Sequence, residues 1–456
     1  MTETTLDPRT GAGSRSIAGT ARSTPGPVTI DPVRFDSHIG RFAELTEDAS
    51  APGVTRLAFT PLERRAHEVF GDHMRAAGLT VWTDAAGNTI AERAGTVPSL
   101  PAIGTGSHLD SVPEAGRYDG IAGVVAAMEI AHTLAENDVR HRHPIRFVAF
   151  ANEEGARFGQ ACIGSRLIAG LTTRADLDHL ADDDGVTVAQ AMTSVGIDPD
   201  AATGARWKAE EWAAFLELHI EQGAVLASLD IPIGVVDLIS GSTRLQITLR
   251  GRASHTGGTP MHLRVDALAA AAEIVLRAEK LASDSRHRGT RITVGKLTVE
   301  PGSITTIPGL VTLAVDVRDV DAARQRQTAS ELIGDARTIS SARGVGIDVD
   351  LLADASPVVL PRRIRDSIVS AAVSIGIDYR VMPSGASHDS QMVNRVCPVG
   401  MVFVPSQNHG VSHSPDEFST ATDLARGTEV LAAAILAVDA SLDADHDTAR
   451  KDIGHE

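Results

Sequence analysis

The sequence predicts an α/β protein: a mostly parallel sheet covered by helices, interrupted by an inserted α+β unit of ferredoxin-like order. Three observations predict it. Apolar strand signals alternate with helix signals along most of the chain. Over one internal stretch the order changes to β-α-β-β-α-β. At 456 residues the chain is too long for one ordinary compact core and long enough for two.

Taken in order, residues 1–28 are rich in Thr, Ser, Gly, Arg and Pro without a hydrophobic period, and read as a disordered tail. Ile103–Ser107 is a short apolar strand ending in polar residues. Gly120–Asn137 is an Ala-rich, mostly apolar helix, and Ile145–Ala151 is a buried strand. Phe215–Leu218 ends another strand, and Val399–Val404 is a late core strand. The first unit is therefore expected over 29–241 and again over 355–440.

The insert is expected over 242–354. Leu245–Arg250 alternates as a strand and Val265–Leu281 is a strong Ala/Leu helix. Ile292–Val299 and Val311–Val317 read as strands, Ala322–Ala342 as a helix and Val345–Leu351 as the last strand. Residues 441–456 are charged and read as a flexible tail. Thr256-Gly257-Gly258-Thr259 lacks the strand–loop–helix setting of a phosphate loop, and reads as a turn leading into a helix from Met261.

Composition narrows the function. With 42 Lys and Arg against 59 Asp and Glu the net charge is -17, which disfavours nucleic acid and anionic membranes as partners. Cys162 and Cys397 are too few for a disulfide framework. No apolar run approaches the roughly 20 residues of a membrane helix, and no secretory signal is visible, so a cytoplasmic protein is expected.

Open α/β sheets hold ligands at the carboxyl ends of their strands, and metal-type residues fall there repeatedly. His108 follows the first strand and can offer a neutral imidazole, with Asp110 placed to orient a ring N–H. Asp119 precedes Gly120 at a helix start, where a carboxylate can bridge two cations and the glycine permits close approach. Glu153 and Glu154 follow the second buried strand. Adjacent residues on extended chain face apart, so one suits a metal and the other a proton. His219 follows Leu218, and His413 lies in the loop after the last core strand. Each has a blander reading: a strand-end histidine, an Asp-Gly turn, a solvated Glu pair. Five metal-type residues at strand ends or in neighbouring loops outweigh it, and they suit two borderline divalent ions such as zinc. His141-Arg142-His143 precedes a strand on the opposite side and is read as solvent-facing.

The motifs GSHLDSV, GRYDGIAGV, ANEEGARFG, LHIEQG, GRASHTGGTPM, SGASHD and SQNHGVSHSPDE, in this order, resemble the aminoacylase/carboxypeptidase superfamily of dinuclear zinc hydrolases. More narrowly they resemble its ureido-amidohydrolase branch of N-carbamoyl-L-amino-acid hydrolases, β-ureidopropionases and allantoate amidohydrolases. The match runs over about residues 30–438. The resemblance implies that His108 and His219 bind one metal, that Glu154 and His413 bind the other, that Asp119 bridges, and that Glu153 is the general base. Gln222, Arg318 and His388 would touch substrate, Arg318 by gripping the substrate's carboxylate. His255 would steady the oxyanion, in related dimers from the neighbouring subunit. The branch usually has Asn where this chain has Thr305, a position expected to face substrate.

The implied reaction is hydrolysis of an N-carbamoyl group on a small carboxylate, giving amino acid, ammonia and carbon dioxide. The implied assembly is a homodimer through the insert, which would also act as a lid. His219 favours ureido substrates, since peptidases of the superfamily tend to carry an aspartate there. Allantoate is the rival substrate, and a dipeptidase or aminoacylase the rival activity. An inactive metal-binding scaffold is the rival from another class, against which the Glu153–Glu154 pair argues. Zn, Mn, Co and Ni all suit such ligands.

Overall fold

The computed structural model describes residues 28–453, with side chains described through Leu442. A nine-stranded mixed sheet forms its centre. Across it the order is Thr80–Thr83, Thr89–Arg93, Ile145–Phe150, Ala102–His108, Trp212–Ile220, Val399–Val404, Ile233–Ile239 and Val358–Val359, with Tyr379–Ser384 also beside Ile233–Ile239. The middle of the sheet, from Ile145–Phe150 to Val399–Val404, is parallel. Antiparallel pairs lie towards its margins, where Thr80–Thr83 and Thr89–Arg93 are joined by a short turn at Asp84–Asn88 and Ile233–Ile239 runs against Val399–Val404, while Tyr379–Ser384 runs parallel to Ile233–Ile239.

Alternation along the central strands supplies two cores. Ile145, Phe147, Ala149, Leu216, Leu218, Val402 and Val404 face one layer, with helices Pro32–Ala43, Ile121–Glu136, Arg362–Ser374 and the last helix. Val148, Phe150, Phe215, Met401 and Phe403 face the other, packed on the short helices between Ile163 and Ala202. Helix Ile121–Glu136 is buried almost all round, which is why its Ala-rich sequence carries so few charges. The last helix, Ala421–Ile453, runs past residue 441, where the sequence reading set a flexible tail. The expected N-terminal tail, residues 1–28, lies outside the described residues except for Val28. No described helix is long and apolar enough to cross a membrane.

His141 and His143 are buried rather than solvent-facing. Their rings bond the carbonyls of His143 and Pro101, and the Arg142 and His143 N–H groups dock on Asp439 of the last helix. A backbone turn that must satisfy its own donors against a helix carries its side chains inward with it.

Helix Pro61–Ala76 buries His67, whose ring bonds the Thr89 hydroxyl. Burial and the charge of Arg64 push this imidazole down to about 4. The unfolded chain protonates it near its ordinary value of about 6.5. Between those values the unfolded state holds a proton that the folded state refuses, so stability falls as pH drops through that window. The site's share is about 3 kcal/mol at full extent. We expect the urea midpoint to fall between pH 6.5 and 4, and His67→Gln to fall less steeply. An unchanged slope in the variant would remove His67 as a source.

From Gly241 to Ala355 the chain forms a second, four-stranded antiparallel sheet. Its order is Gly346–Ala355, Gly241–Arg250, Leu310–Asp319, Arg291–Glu300. One face (Leu245, Ile247, Leu249, Val311, Leu313, Val315, Val317) packs on helices Ala267–Ala282 and Ala322–Arg343. The first of these helices begins at Ala267 rather than Val265 or Met261, because Asp266 caps it through the N–H groups of Leu268 and Ala269. Met261–Leu263 is a separate 3-10 turn.

The two sheets are joined by a ribbon. Ile233–Ile239 leads through Ser240 directly into Gly241–Arg250, and Gly346–Ala355 leads through Ser356 and Pro357 into Val358–Val359. These strands pair antiparallel on both sides of the junction, Ser242 with Ala355 and Ile239 with Val358. Gly241 has no room for a side chain: a Cβ there would lie 2.2 Å from Gln325 Oε1 and 2.4 Å from the Ala355 carbonyl.

Candidate metal centre and active site

The parallel strands end together, and their carboxyl ends bring the candidate ligands to one place. His108 closes Ala102–His108, and His219 sits near the end of Trp212–Ile220. Asp119 enters helix Ile121–Glu136 through Gly120, which has φ 67°. A Cβ on Gly120 would lie 2.4 Å from the His108 ring, so only glycine lets this turn close over the histidine. Glu153 and Glu154 follow Ile145–Phe150 through Asn152, at φ 54°. His413, at φ 56°, lies in the loop after Val399–Val404, and Gln222, at φ 53°, follows Trp212–Ile220. Three non-glycine residues in the left-handed region around one site mark backbone held in place by its surroundings.

Asp119 is the centre of the arrangement. Its Oδ1 lies 3.5 Å from His108 Nε2 and 3.1 Å from His219 Nε2. Its Oδ2 lies 3.3 Å from His413 Nε2, which is 3.3 Å from Glu154 Oε2. One carboxylate thus turns one oxygen to each of two ligand groups, His108–Asp119–His219 and Asp119–Glu154–His413. Glu153 stands beside them, its Oε2 3.9 Å from His108 Nε2.

Charge at this cluster is unbalanced without cations. Burial would raise the Asp119 carboxyl, but hydrogen bonds from His108, His219 and His413 outweigh it and hold it well below the carboxylate range. Burial and the Asp119 charge push Glu154 up to about 8. Burial acts against charge on His219 and His413, yet their bonds to Asp119 carry them to about 9 and about 10. Glu154 Oε1 and Gln222 Oε1 are buried with no hydrogen-bond partner. Three imidazoles on one carboxylate and an unpartnered carboxylate oxygen form a donor set consistent with two divalent ions, which would replace the protons now holding it together.

Asp110 lies beside the His108 ring, its Oδ1 3.6 Å from Nδ1, and has a second task as well. The His108 Nδ1 bonds the Asp110 backbone carbonyl at 3.1 Å. The Asp110 carboxylate also accepts the backbone N–H groups of Glu153 and Glu154 at 2.8 and 3.1 Å. Two N–H groups at the end of the next strand hold the carboxylate where it also faces the imidazole edge.

The open cavity above the cluster is lined by Asp119, Glu153, Glu154, His219, Gln222, Arg318 and His413, together with Ala161, Arg244, Ala386 and Ser387. Gln222 is turned onto Asp119, its Nε2 donating to Oδ2 at 2.5 Å. Arg318 donates to Asp316 at 2.8 Å and to the Gly385 carbonyl at 3.3 Å. His388 is buried behind His219, ring centroids 4.5 Å apart, and bonds the Ser384 hydroxyl at 2.8 Å. Burial and the neighbouring His219 charge push it well below the ordinary histidine value. His255 and Thr305 lie together outside this cavity: Thr306 pairs with His255, and Thr256 N–H donates to the Thr305 carbonyl. The His255 Nδ1 accepts from Gly257 and Gly258 N–H, which leaves Nε2 to carry the ring proton on an exposed edge.

Several supporting residues escaped the sequence reading. Cys162 donates its S–H to Glu153 Oε1 at 3.3 Å. Glu417 accepts the backbone N–H groups of Tyr118 and Asp119 and the Ser412 hydroxyl, so it fixes the Asp119 turn from below. Glu217, wholly buried, accepts the hydroxyls of Ser107 and Ser390 and so ties strand Ala102–His108 and helix Asp389–Val393 to the strand that carries His219. Glu417 lies in the SQNHGVSHSPDE run, a signal that was available; Cys162 and Glu217 carry none that spacing reveals.

Residues 104–437 match the family model described as peptidase family M20/M25/M40. The N-carbamoyl-L-amino-acid amidohydrolase of Paenarthrobacter aurescens is 44% identical over 391 residues, 86% of this chain and 94% of that protein. The allantoate amidohydrolase of Escherichia coli is 35% identical over 84% of this chain and 92% of its own length. Among solved structures, an amidase of the hydantoinase/carbamoylase family from Burkholderia vietnamiensis superposes with a TM-score of 0.85 at 32% identity, covering 90% of this chain and 98% of that one.

Proposed function

The chain belongs to the M20/M25/M40 peptidase family, and on that premise we propose that it is a metal-dependent amidohydrolase of N-carbamoyl amino acids, releasing amino acid, ammonia and carbon dioxide. The observation that carries the reading is Asp119 presenting one oxygen to His108 and His219 and the other to His413, beside Glu154 and a Glu153 that belongs to neither group. The ureido substrate rests on the relatives. An allantoate substrate is the second reading, supported by the Escherichia coli relative.

In this reading His108, His219 and Asp119 hold one divalent ion, and Asp119, Glu154 and His413 the other, zinc first and Mn, Co or Ni as alternatives. Such ions supply Lewis acidity and an acidified water when bound. Glu153 accepts the proton of the attacking water on its carboxylate and passes it to the departing nitrogen. Its carboxyl is raised, mainly by burial, which suits a group that must both take and return a proton. Arg318 grips the substrate carboxylate with its planar fork. Gln222 and Ser387 border the carbamoyl group, and His388 steadies His219 from behind.

His255 and Thr305 act from a second copy of the chain, where the His255 Nε2 edge reaches the oxyanion of the neighbouring site. Their placement outside the cavity of their own chain supports this. So do the exposed apolar side chains Met261, Leu263, Leu276 and Leu351 on the inserted unit, which also serves as the lid.

An ammonia-release assay over N-carbamoyl-α-amino acids, N-carbamoyl-β-alanine, allantoate and dipeptides, with metals supplied one at a time, tests the reading. We expect ammonia from N-carbamoyl acids, lost on chelation and restored by metal, with Arg318→Met raising KM about tenfold or more. Cleavage of dipeptides with no ammonia from any ureido acid would overturn it.

A further inference from the structure

The polar face of the inserted sheet carries more positive charge than the proposed reaction uses. Arg244 and Asp316 are directly paired across neighbouring strands, and Arg318 lies two residues along from Asp316, so all three share one face. The next strand brings Arg291 opposite Arg318. The guanidinium of Arg291 packs over Gly385, to whose carbonyl Arg318 also donates. Two guanidiniums, those of Arg244 and Arg318, therefore flank one carboxylate, that of Asp316, and a third, that of Arg291, lies on the far side of Arg318.

Asp316 does not serve them equally. Its Oδ2 accepts from Arg318 Nε at 2.8 Å but stands 4.0 Å from Arg244 Nε. Among the described residues this is the one ion pair of Arg244, and its hydrogen bond goes to the uncharged carbonyl of Gly159 at 3.3 Å. Yet Arg244 is only 21% exposed and lines the cavity with Arg318. A partly buried guanidinium facing a cavity, its one ion pair stretched to 4.0 Å, has little to offset its desolvation. Among the described residues the apolar side chains lining the cavity are Ala161 and Ala386, so little there matches a large apolar substituent.

We propose that Arg244 is a second anion-binding residue of the active site, and that the preferred substrate is a ureido acid with two carboxylates. Arg318 takes the carboxylate next to the ureido nitrogen. Arg244, on the other side of Asp316, takes a carboxylate carried one or two carbons further along. Asp316 orients both guanidiniums and prevents them from closing on one carboxylate. This rests on the ureido reading and adds to it the charge of the substrate side chain.

The test compares kcat/KM for N-carbamoyl-aspartate, its uncharged isostere N-carbamoyl-asparagine, and N-carbamoyl-alanine, in the wild type, Arg244→Met and Arg244→Lys. A charge-assisted hydrogen bond in such a site corresponds to about ten- to a hundredfold in affinity. The aspartate-to-asparagine ratio should therefore be about ten or more in the wild type, close to one in R244M, and intermediate in R244K. A wild-type ratio at or below one overturns the proposal whatever the variants do. A ratio unchanged in R244M, with all substrates slowed alike, also overturns it and leaves Arg244 as a tie to the Gly159 loop. Ammonia from asparagine and alanine derivatives without an aspartate preference sinks this inference alone. No ammonia from any of the three sinks the ureido reading with it.

Discussion

Glu153→Gln should lower kcat by about 10²–10⁴-fold while the protein keeps its full complement of metal. The magnitude is that of removing a positioned general base. Gln has the shape of Glu and can still accept the Cys162 S–H through its amide oxygen. The backbone N–H of residue 153 keeps its bond to Asp110. Neither ligand group includes Glu153, so metal stoichiometry should be unchanged. What the variant loses is an acceptor with a basic lone pair and the capacity to return a proton. Metal content by elemental analysis and kcat on an N-carbamoyl acid, read together, decide the assignment. Wild-type turnover in a fully loaded variant would end Glu153's role as the base, and loss of metal would make it a ligand.

Asp119→Ala should produce the other large effect, and of a different kind. Both of its oxygens are engaged, Oδ1 by His108 and His219, Oδ2 by His413, Gln222 and Ser412. Removing the shared carboxylate takes a ligand from both groups at once. Metal content should fall from two towards none, and turnover by about 10³-fold or more, since the ions are asked for several kcal/mol of transition-state stabilisation. His413→Ala, which touches one group only, should leave the His108–His219 side loaded. An Asp119→Ala protein that retained both ions would show that the two groups do not share a bridge.

Much of the centre was legible because it lies where sequence patterns are strongest. His108, Glu153, Glu154 and His219 close or follow apolar runs that can only be buried strands, and Gly120 after Asp119 announces a tight turn. The flanks were less so. Thr80–Thr83 and Thr89–Arg93 are short and partly polar, and nothing local says they add antiparallel to the sheet. Asp110 shows why contacts are harder than positions: its spacing from His108 was plain, but the N–H groups that capture its carboxylate belong to another strand. Arg244 sits one residue before the alternation read at Leu245–Arg250, and only strand register sets it beside Asp316. His141 and His143 were misjudged because Asp439, which draws their turn inward, lies almost three hundred residues away in sequence.

The ribbon at Ser240–Gly241 and Ser356–Pro357 has a consequence of its own. The chain leaves the large sheet and returns to it through residues that are direct neighbours, Ser242 and Ala355. Every candidate metal ligand lies outside that excursion, while Arg244, His255, Thr305 and Arg318 lie within it. Recombination or design that cuts at this paired gateway needs only a tight turn to close the remaining backbone. The candidate metal ligands and Glu153 can thus be inherited intact while the unit that carries Arg244, His255, Thr305 and Arg318 is exchanged, which gives one scaffold a route to new substrates with its metal centre unchanged.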